Sequence, residues 1–205
     1  MSPVPGGEPD LPVRIHPEVA EALAAGRPVV ALESAVLTSG LPRTPHPRAW
    51  ARALEALAAE DAWPATTRPD AASATPFGGA AEAAADPARD PVNRLAAMAM
   101  EEAIRGYGGV PATIAVLDGW LRIGLGAEER DRLAADTTAG KASTATLAAA
   151  IGGEASAGTT VSATLLACRI AGIGTFATGG IGGVHRGWTS RPDISADLPE
   201  IARTG

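Results

Sequence analysis

Aromatic residues are nearly missing from this sequence: four Trp, two Phe and one Tyr among 205 positions. Its core must be filled by Val, Ile, Leu and Ala instead, and small residues let backbone segments approach closely. Cysteine occurs once, at Cys168, which excludes an intrachain disulfide and any zinc site built on several cysteines. Cys168 itself reads as a small buried apolar residue. Lysine also occurs once, at Lys141, the other cationic residues being arginines; chemistry that needs an amine from these residues has one candidate. There is no basic excess: the net charge is −6 and the isoelectric point is near 5.1, which argues against nucleic-acid binding. No stretch approaches the ~18 consecutive apolar residues of a membrane span. The first residues have neither the basic nor the apolar region of a secretion signal. The expectation is a soluble cytoplasmic protein.

What is present fits one well-buried domain carrying a loose insertion. Pro17 to Ala25 reads as a short helix followed by Gly26. Pro28 to Leu32 is an apolar, β-branched run of the kind buried on both faces of a parallel sheet. Pro47 to Glu60 has helical spacing, but Asp61 to Asp90 is rich in Pro, Ala, Thr and Asp, so a flexible insertion is expected at about residues 42–90. A helix over Asn93 to Arg105 (with Leu95, Met98 and Glu102 in register), strands over Ala112 to Leu117 and Trp120 to Leu125, and a charged helix over Ala127 to Ala135 follow. The next helix is expected to start near Ser143 or Thr144. Thr160 opens the most apolar helix, with Val161, Leu165, Leu166 and Ile170 facing inward. Gly174 to Thr178 forms the last strand. This alternation predicts an α/β domain, layered α/β/α, whose mostly parallel sheet carries helices on both faces. Ligands of such folds bind at the carboxyl ends of the strands.

Two polar features fall at that edge. Glu33 follows the Pro28 to Leu32 strand, where it either caps a turn or, once desolvated, acts as a proton donor. Thr178 to Gly187 places five glycines in ten positions after a strand, so that backbone N–H groups can approach an anion. His185 and Arg186 stand beside them. The spacing matches neither a dinucleotide fingerprint nor a phosphate-binding Walker loop. Downstream, Asp193-Ile194-Ser195-Ala196-Asp197 offers two carboxylates around a hydroxyl, suited to magnesium or manganese or simply to turns and caps. Lys141 could meet a phosphate at a helix start, or be a solvated surface residue. His16 and His46, flanked by prolines, read as surface residues.

Together VVALES (Val29 to Ser34), GGVPATIAVLDG (Gly108 to Gly119), GTTVSATLLACRIAGI (Gly158 to Ile173), FATGGIGGVHRG (Phe176 to Gly187) and DISADL (Asp193 to Leu198) resemble the pseudouridine-5'-phosphate glycosidases, a family that includes indigoidine synthase A-like proteins. The resemblance implies a homotrimeric, manganese-dependent α/β/α enzyme that reversibly converts pseudouridine 5'-phosphate to uracil and ribose 5-phosphate. By matched position Glu33 would be the proton donor, Lys141, Val161, Ser195, Ala196 and Asp197 would contact substrate, and Asp193 would hold Mn2+ or Mg2+. His185 would assist with the phosphate or with proton transfer. In the family the nucleophilic lysine lies on the strand that follows DISADL and is not among these 205 residues, so the resemblance implies a chain that is incomplete relative to the family fold. Ser143 to Leu147 also replaces the family's usual Ser-Arg-Arg-Asp-Leu. The alternative expectation is a catalytically silent sugar-phosphate or nucleotide-binding remnant.

Overall fold

The computed structural model describes residues 12–58, 85–184, 189–190 and 194–204. Its centre is β3 (Val110–Leu117), eight residues that are all buried. Apolar side chains on both faces give this strand two cores. Val110, Ala112, Ile114 and Val116 pack with Val19 and Ala22 of α1 (Pro17–Ala24), Leu147 of α5 (Leu147–Gly152), and Ala167 and Cys168 of α6 (Val161–Ala171). Ala115 and Leu117 pack with Leu133 of α4 (Ala127–Ala135), and Thr113 meets Glu101 of α3 (Val92–Gly106). Successive residues of a strand point to opposite faces, so helices cover the sheet on both sides. Each fully buried Val, Leu or Ile stabilises the fold by roughly 1.5–3 kcal/mol.

The sheet runs β1 (Val13–Ile15), β4 (Trp120–Ile123), β3, β2 (Val29–Leu32), β7 (Thr175–Ala177). Off this path, β6 (Ala157–Thr159) pairs with β3 and with β5 (Gly140–Ala142). The β1–β4, β2–β3, β2–β7 and β5–β6 ladders are parallel, while β3–β4 and β3–β6 are antiparallel. The mostly parallel α/β sheet is therefore as expected, with its two antiparallel ladders meeting at the second half of β3. There β3 leaves β2, whose register ends at Leu32 opposite Thr113, and takes up β4 and β6.

That fork would strand the carbonyl of Ile114 without a ladder partner. Two buried hydroxyls supply it: Ser34 Oγ and Thr159 Oγ1 (2.6 Å) both donate to Ile114 O. Ser34 Oγ in turn accepts from Thr159 N (3.0 Å), and Thr164 Oγ1 donates to Thr159 Oγ1 (3.0 Å). Gly158 completes the junction, because a Cβ there would stand 2.5 Å from Ser34 O and 2.6 Å from Thr38 Oγ1. Only a glycine lets β6 approach the end of β2 so closely.

Several sequence expectations need correction. The helix expected from Ser143 begins at Leu147: residues 144–146 form a turn in which Ser143 O accepts from Thr146 N (3.0 Å) and Leu147 N (2.8 Å). In α6 the inward face consists of Val161, Ser162, Ala163, Thr164, Ala167 and Cys168, whereas Ile170 is exposed and Leu165 and Leu166 are half-buried. Small and hydroxyl-bearing residues are inside because the helix lies close against the sheet. In α3 the buried carboxylate is Glu101, not Glu102; it accepts from Arg130 Nη1 (2.8 Å) and Thr113 Oγ1 (2.6 Å). Cys168 is buried as expected, and that burial pushes its thiol up to about 11.

Of the expected insertion, residues 59–84 lie outside the described residues, while Pro47–Ala58 forms helix α2. The chain on its two sides comes together. Pro42 O accepts from Asn93 N (3.1 Å) and Thr44 O from Val92 N (3.3 Å). The fully buried Asn93 donates its amide to both Leu37 O and Ala134 O, each at 2.8 Å. Among the described residues no helix is long and apolar enough to cross a membrane.

Candidate active site

The carboxyl ends of β2 and β7 open onto a cleft of about 690 Å³. Glu33 leaves the end of β2 into it, Thr178 leaves the end of β7, and Lys141 enters from β5. Met100, Ala103 and Ile104 of α3 supply an apolar wall. Lys141 reaches this place through the fork already described: it is paired in register with Gly158, and Gly158 lies against Ser34, the neighbour of Glu33. The lysine is exposed and on a strand, so it does not stand at a helix start.

Glu33 is half-buried, and loss of hydration holds its carboxyl above the ordinary value of 4.5. The hydrogen bond from Thr178 opposes that rise, the Asp197 charge adds to it, and Lys141 opposes it. Burial is the largest of these influences, leaving a carboxyl that holds its proton better than one in water. Thr178 Oγ1 lies 2.7 Å from Glu33 Oε1 and 2.9 Å from Gly180 O. Its single hydrogen can turn either way. With Glu33 ionised the hydroxyl donates to the carboxylate; with Glu33 protonated it accepts from Glu33 and donates to Gly180 O. Both protonation states of the carboxyl are thus accommodated without moving the backbone. Sequence reasoning placed Glu33 but did not single out this hydroxyl, whose only signal is its position at the end of the neighbouring strand.

The glycine loop beyond Thr178 is tied down by Asp197, the first residue of α7 (Asp197–Thr204). The carboxylate is 7% exposed. Its Oδ1 accepts from Ser162 N in the first turn of α6, and its Oδ2 from Gly182 N, each at 2.9 Å. A carboxylate at a helix N-terminus is favoured by the helix dipole. Ser195 N donates to Gly183 O (2.9 Å), Val184 bridges Ile194, and Ser195 Oγ accepts from Asp197 N (3.2 Å). A Cβ at Gly182 would fall 2.2 Å from Ser195 Oγ and 2.8 Å from Asp197 Oδ2, so the loop and the Asp-Ile-Ser-Ala-Asp run fit each other only through a glycine.

Glu33, Lys141 and Thr178 therefore share the cleft, while Ser195 and Asp197 grip the loop that leaves it. Ala196 is half-buried in the turn before α7. Val161 is 2% exposed at the start of α6 and is not among the residues bounding the cleft. His185 and Asp193 lie outside the described residues.

A model of the indigoidine synthase A-like proteins matches residues 18–69 and 87–205. This chain belongs to that family. The segment between the two matched stretches, 70–86, falls within the expected insertion. Among this family member's relatives, a pseudouridine-5'-phosphate glycosidase of Rhodospirillum centenum is 44% identical over 190 residues, covering 93% of this chain and 44% of the relative. Another, from Dinoroseobacter shibae, is 41% identical over 192 residues, covering 94% and 48%. Among solved structures, an indigoidine synthase A-like protein of Thermotoga maritima superposes with TM-score 0.59 at 25% identity, covering 98% of this chain and 49% of that one. The prealnumycin C-glycosynthase AlnA, solved with ribulose 5-phosphate, superposes with TM-score 0.60 at 30% identity, covering 93% and 46%. The chain spans a little under half the length of these relatives.

Proposed function

We propose that this family member serves the reversible cleavage of pseudouridine 5'-phosphate to uracil and ribose 5-phosphate, and that these residues supply its proton donor and part of its phosphate site. The observation that carries this reading is the half-buried Glu33, whose carboxyl burial raises above its ordinary value, hydrogen-bonded by Thr178 on the same cleft as the lone lysine. The names of the relatives support it, as does the sugar phosphate with which the C-glycosynthase AlnA was solved.

The bond to be broken joins two carbons, so protonation of a leaving oxygen does not release the base. Glu33 would protonate the ribose ring oxygen as an amine attacks the anomeric carbon and opens the ring; the lone pair of the resulting amine then expels uracil, whose ring carbon keeps the electrons of the carbon–carbon bond and takes up a proton, and water hydrolyses the iminium left behind to ribose 5-phosphate. In the family pattern the attacking amine is a lysine that follows the DISADL run. Lys141, an ammonium on a flexible stem at the rim, would bind the phosphate.

A divalent cation is proposed at Asp193. Among the described residues no three His, Cys, Asp or Glu side chains converge to hold a metal, and both oxygens of Asp197 are engaged by backbone N–H groups. A single carboxylate suits a hard ion such as Mn2+ or Mg2+, which keeps several waters and shares phosphate oxygens. Bound there, the ion would offset phosphate charge. Assembly as a trimer and a cytoplasmic setting belong to the same proposal.

Calorimetric titration with ribose 5-phosphate tests this reading. Binding is expected, weakened about tenfold by Lys141→Gln and nearly unchanged by Glu33→Gln. Borohydride trapping with peptide mapping should leave Lys141 unlabelled. Absence of binding, or indifference to Lys141→Gln, would overturn the reading, and a label on Lys141 would make it the attacking amine.

A further inference from the structure

Ser34 follows Glu33 directly and is fully buried. It does not line the cleft, yet every polar group it has is engaged. Ser34 N donates to Thr159 O (3.3 Å), and Ser34 O accepts from Leu37 N (3.0 Å) and Thr38 N (3.3 Å). Its hydroxyl donates to Ile114 O and accepts from Thr159 N (3.0 Å).

The topology gives this hydroxyl a particular task. β4 holds one edge of β3, so β2 and β6 share the other, β2 beside Val110 to Thr113 and β6 beside Ala115 and Val116. No ladder joins β2 to β6 among the described residues; Ser34 bonds the end of one to the other. The Ser34 carbonyl is committed to the helical turn Val36–Gly40 that follows. The hydroxyl takes its place as the acceptor for Thr159 N, so a side chain completes here what a backbone carbonyl does elsewhere in a sheet.

From Thr159 the bond reaches the lysine in two short steps. Thr159 stands in register with Ala142, whose carbonyl accepts from Thr160 N (2.9 Å), and Gly158 stands in register with Lys141. Glu33 and Lys141, distant in sequence, are thus tied through Ser34 by backbone that cannot swing. The tie is already felt electrostatically. Burial raises the Glu33 carboxyl and the Thr178 hydrogen bond lowers it, while the facing charges act oppositely, Asp197 raising it and Lys141 lowering it. In a sugar phosphate the span from ring oxygen to phosphate is fixed by covalent bonds, so a proton donor and a phosphate contact must be held at a matching distance.

We infer that Ser34 is a positioning residue: its hydroxyl, held between Ile114 O and Thr159 N, sets the separation of Glu33 from Lys141 and thereby the fit of the cleft to a sugar phosphate. This rests on the reading of Glu33 as proton donor and Lys141 as phosphate contact.

The test is a double-mutant cycle. Ribose 5-phosphate affinity is measured by calorimetry for the wild-type chain, Ser34→Ala, Lys141→Gln and the double variant. Ser34→Ala should weaken binding about fivefold where Lys141 is present and leave it unchanged in the Lys141→Gln chain, because the serine acts through the lysine. Thr159→Val is the control. It too removes a donor to Ile114 O but keeps the bond from Thr159 N to Ser34, so it should lower the urea midpoint as Ser34→Ala does and leave affinity intact. If Ser34→Ala does not fold, Ser34→Cys, with a weaker donor and acceptor, is carried through the same cycle. An equal loss in both backgrounds, no loss, or a Thr159→Val chain that binds as poorly as Ser34→Ala overturns the inference.

The two backgrounds are also compared without ligand, by carboxyl-carbon NMR of Glu33. Ser34→Ala should move Glu33 upward only where Lys141 remains, as the lysine draws away; an equal movement without Lys141, or none, overturns the inference. Absence of ribose 5-phosphate binding by the wild-type chain would instead remove the functional reading, and the ligand-free comparison would then decide the role of Ser34 by itself.

Discussion

The two walls of the cleft are held in place by different means. Glu33, just past the end of β2, and Lys141, within β5, stand on strands fixed by backbone contacts: Gly158 presses on Ser34 O, and buried hydroxyls satisfy the fork at Ile114. The glycine loop opposite is exposed along most of its described length and held largely by one carboxylate, Asp197, gripping two N–H groups. Both walls depend on a glycine with no room for a Cβ, yet the obstruction differs in kind. At Gly158 it includes the backbone of Ser34; at Gly182 it is Ser195, whose Cβ would stand at 2.7 Å, and the Asp197 carboxylate, which its two N–H partners hold in place. The wall carrying Glu33 and Lys141 is thus fixed by backbone packing, and the exposed glycine-loop wall, held through side chains, is the more adjustable.

The contrast breaks most sharply at Gly158. Gly158→Ala should cost about 3 kcal/mol of stability, the upper range for forcing bulk into a packed site, and should displace Lys141 along with β6. Urea denaturation measures the first effect and ribose 5-phosphate affinity the second. A loss no larger than that of Gly182→Ala would erase the distinction between the walls.

Asp197→Asn should cost less, about 1.5 kcal/mol, because an amide can accept from only one of the two N–H groups and turns its own donors toward the other. Hydrogen exchange at Gly182 and Ser162 should accelerate while amides in β2 and β3 keep their protection. Uniform loss of protection would show that the loop is not a separable wall.

Thr178→Val gives the smallest effect, about 0.5 kcal/mol at an exposed site, but its sign is informative. Removing a bond that favours the carboxylate should move Glu33 further up. A group raised in the folded state contributes stability that is present below its ordinary value of 4.5 and lost as pH rises through the folded value. The deficit of Thr178→Val should accordingly be largest near neutrality and shrink in acid. Carboxyl-carbon NMR of Glu33 checks the shift directly; movement downward would contradict the assigned role of the hydroxyl.

The fixed wall is the more legible in sequence. Val29–Leu32 is a continuous apolar run, Ala112 to Leu117 is one broken only by Thr113, and a carboxylate directly after the first is visible without any structure. β1, β5 and β6 escape a sequence reading because each is three residues long with charged or small residues and no apolar run to mark it, unlike the equally short β7 between an apolar helix and the glycine loop. The buried face of α6 keeps the expected Val161, with Leu166 packed at its margin, but leaves Ile170 exposed and takes in Ala163 and Ala167, because close packing against the sheet selects small residues. On the adjustable wall the glycines announce an anion loop, but nothing in the spacing shows that Asp197 commits both oxygens to backbone N–H groups. A carboxylate that caps a helix and one that binds substrate look alike until the third dimension is known.

The bracket formed by Asn93 has a further consequence. With residues 42–44 and 92–93 fastened side by side, whatever lies between them closes a loop whose ends are already joined. Doubling such a loop costs only about 0.6 kcal/mol in closure entropy. The family match breaks off at 69 and resumes at 87 inside this interval, so the molecule carries a splice point. Its intervening length can drift in evolution, or receive a tag or a sensor domain, at little energetic cost to the fold beneath it.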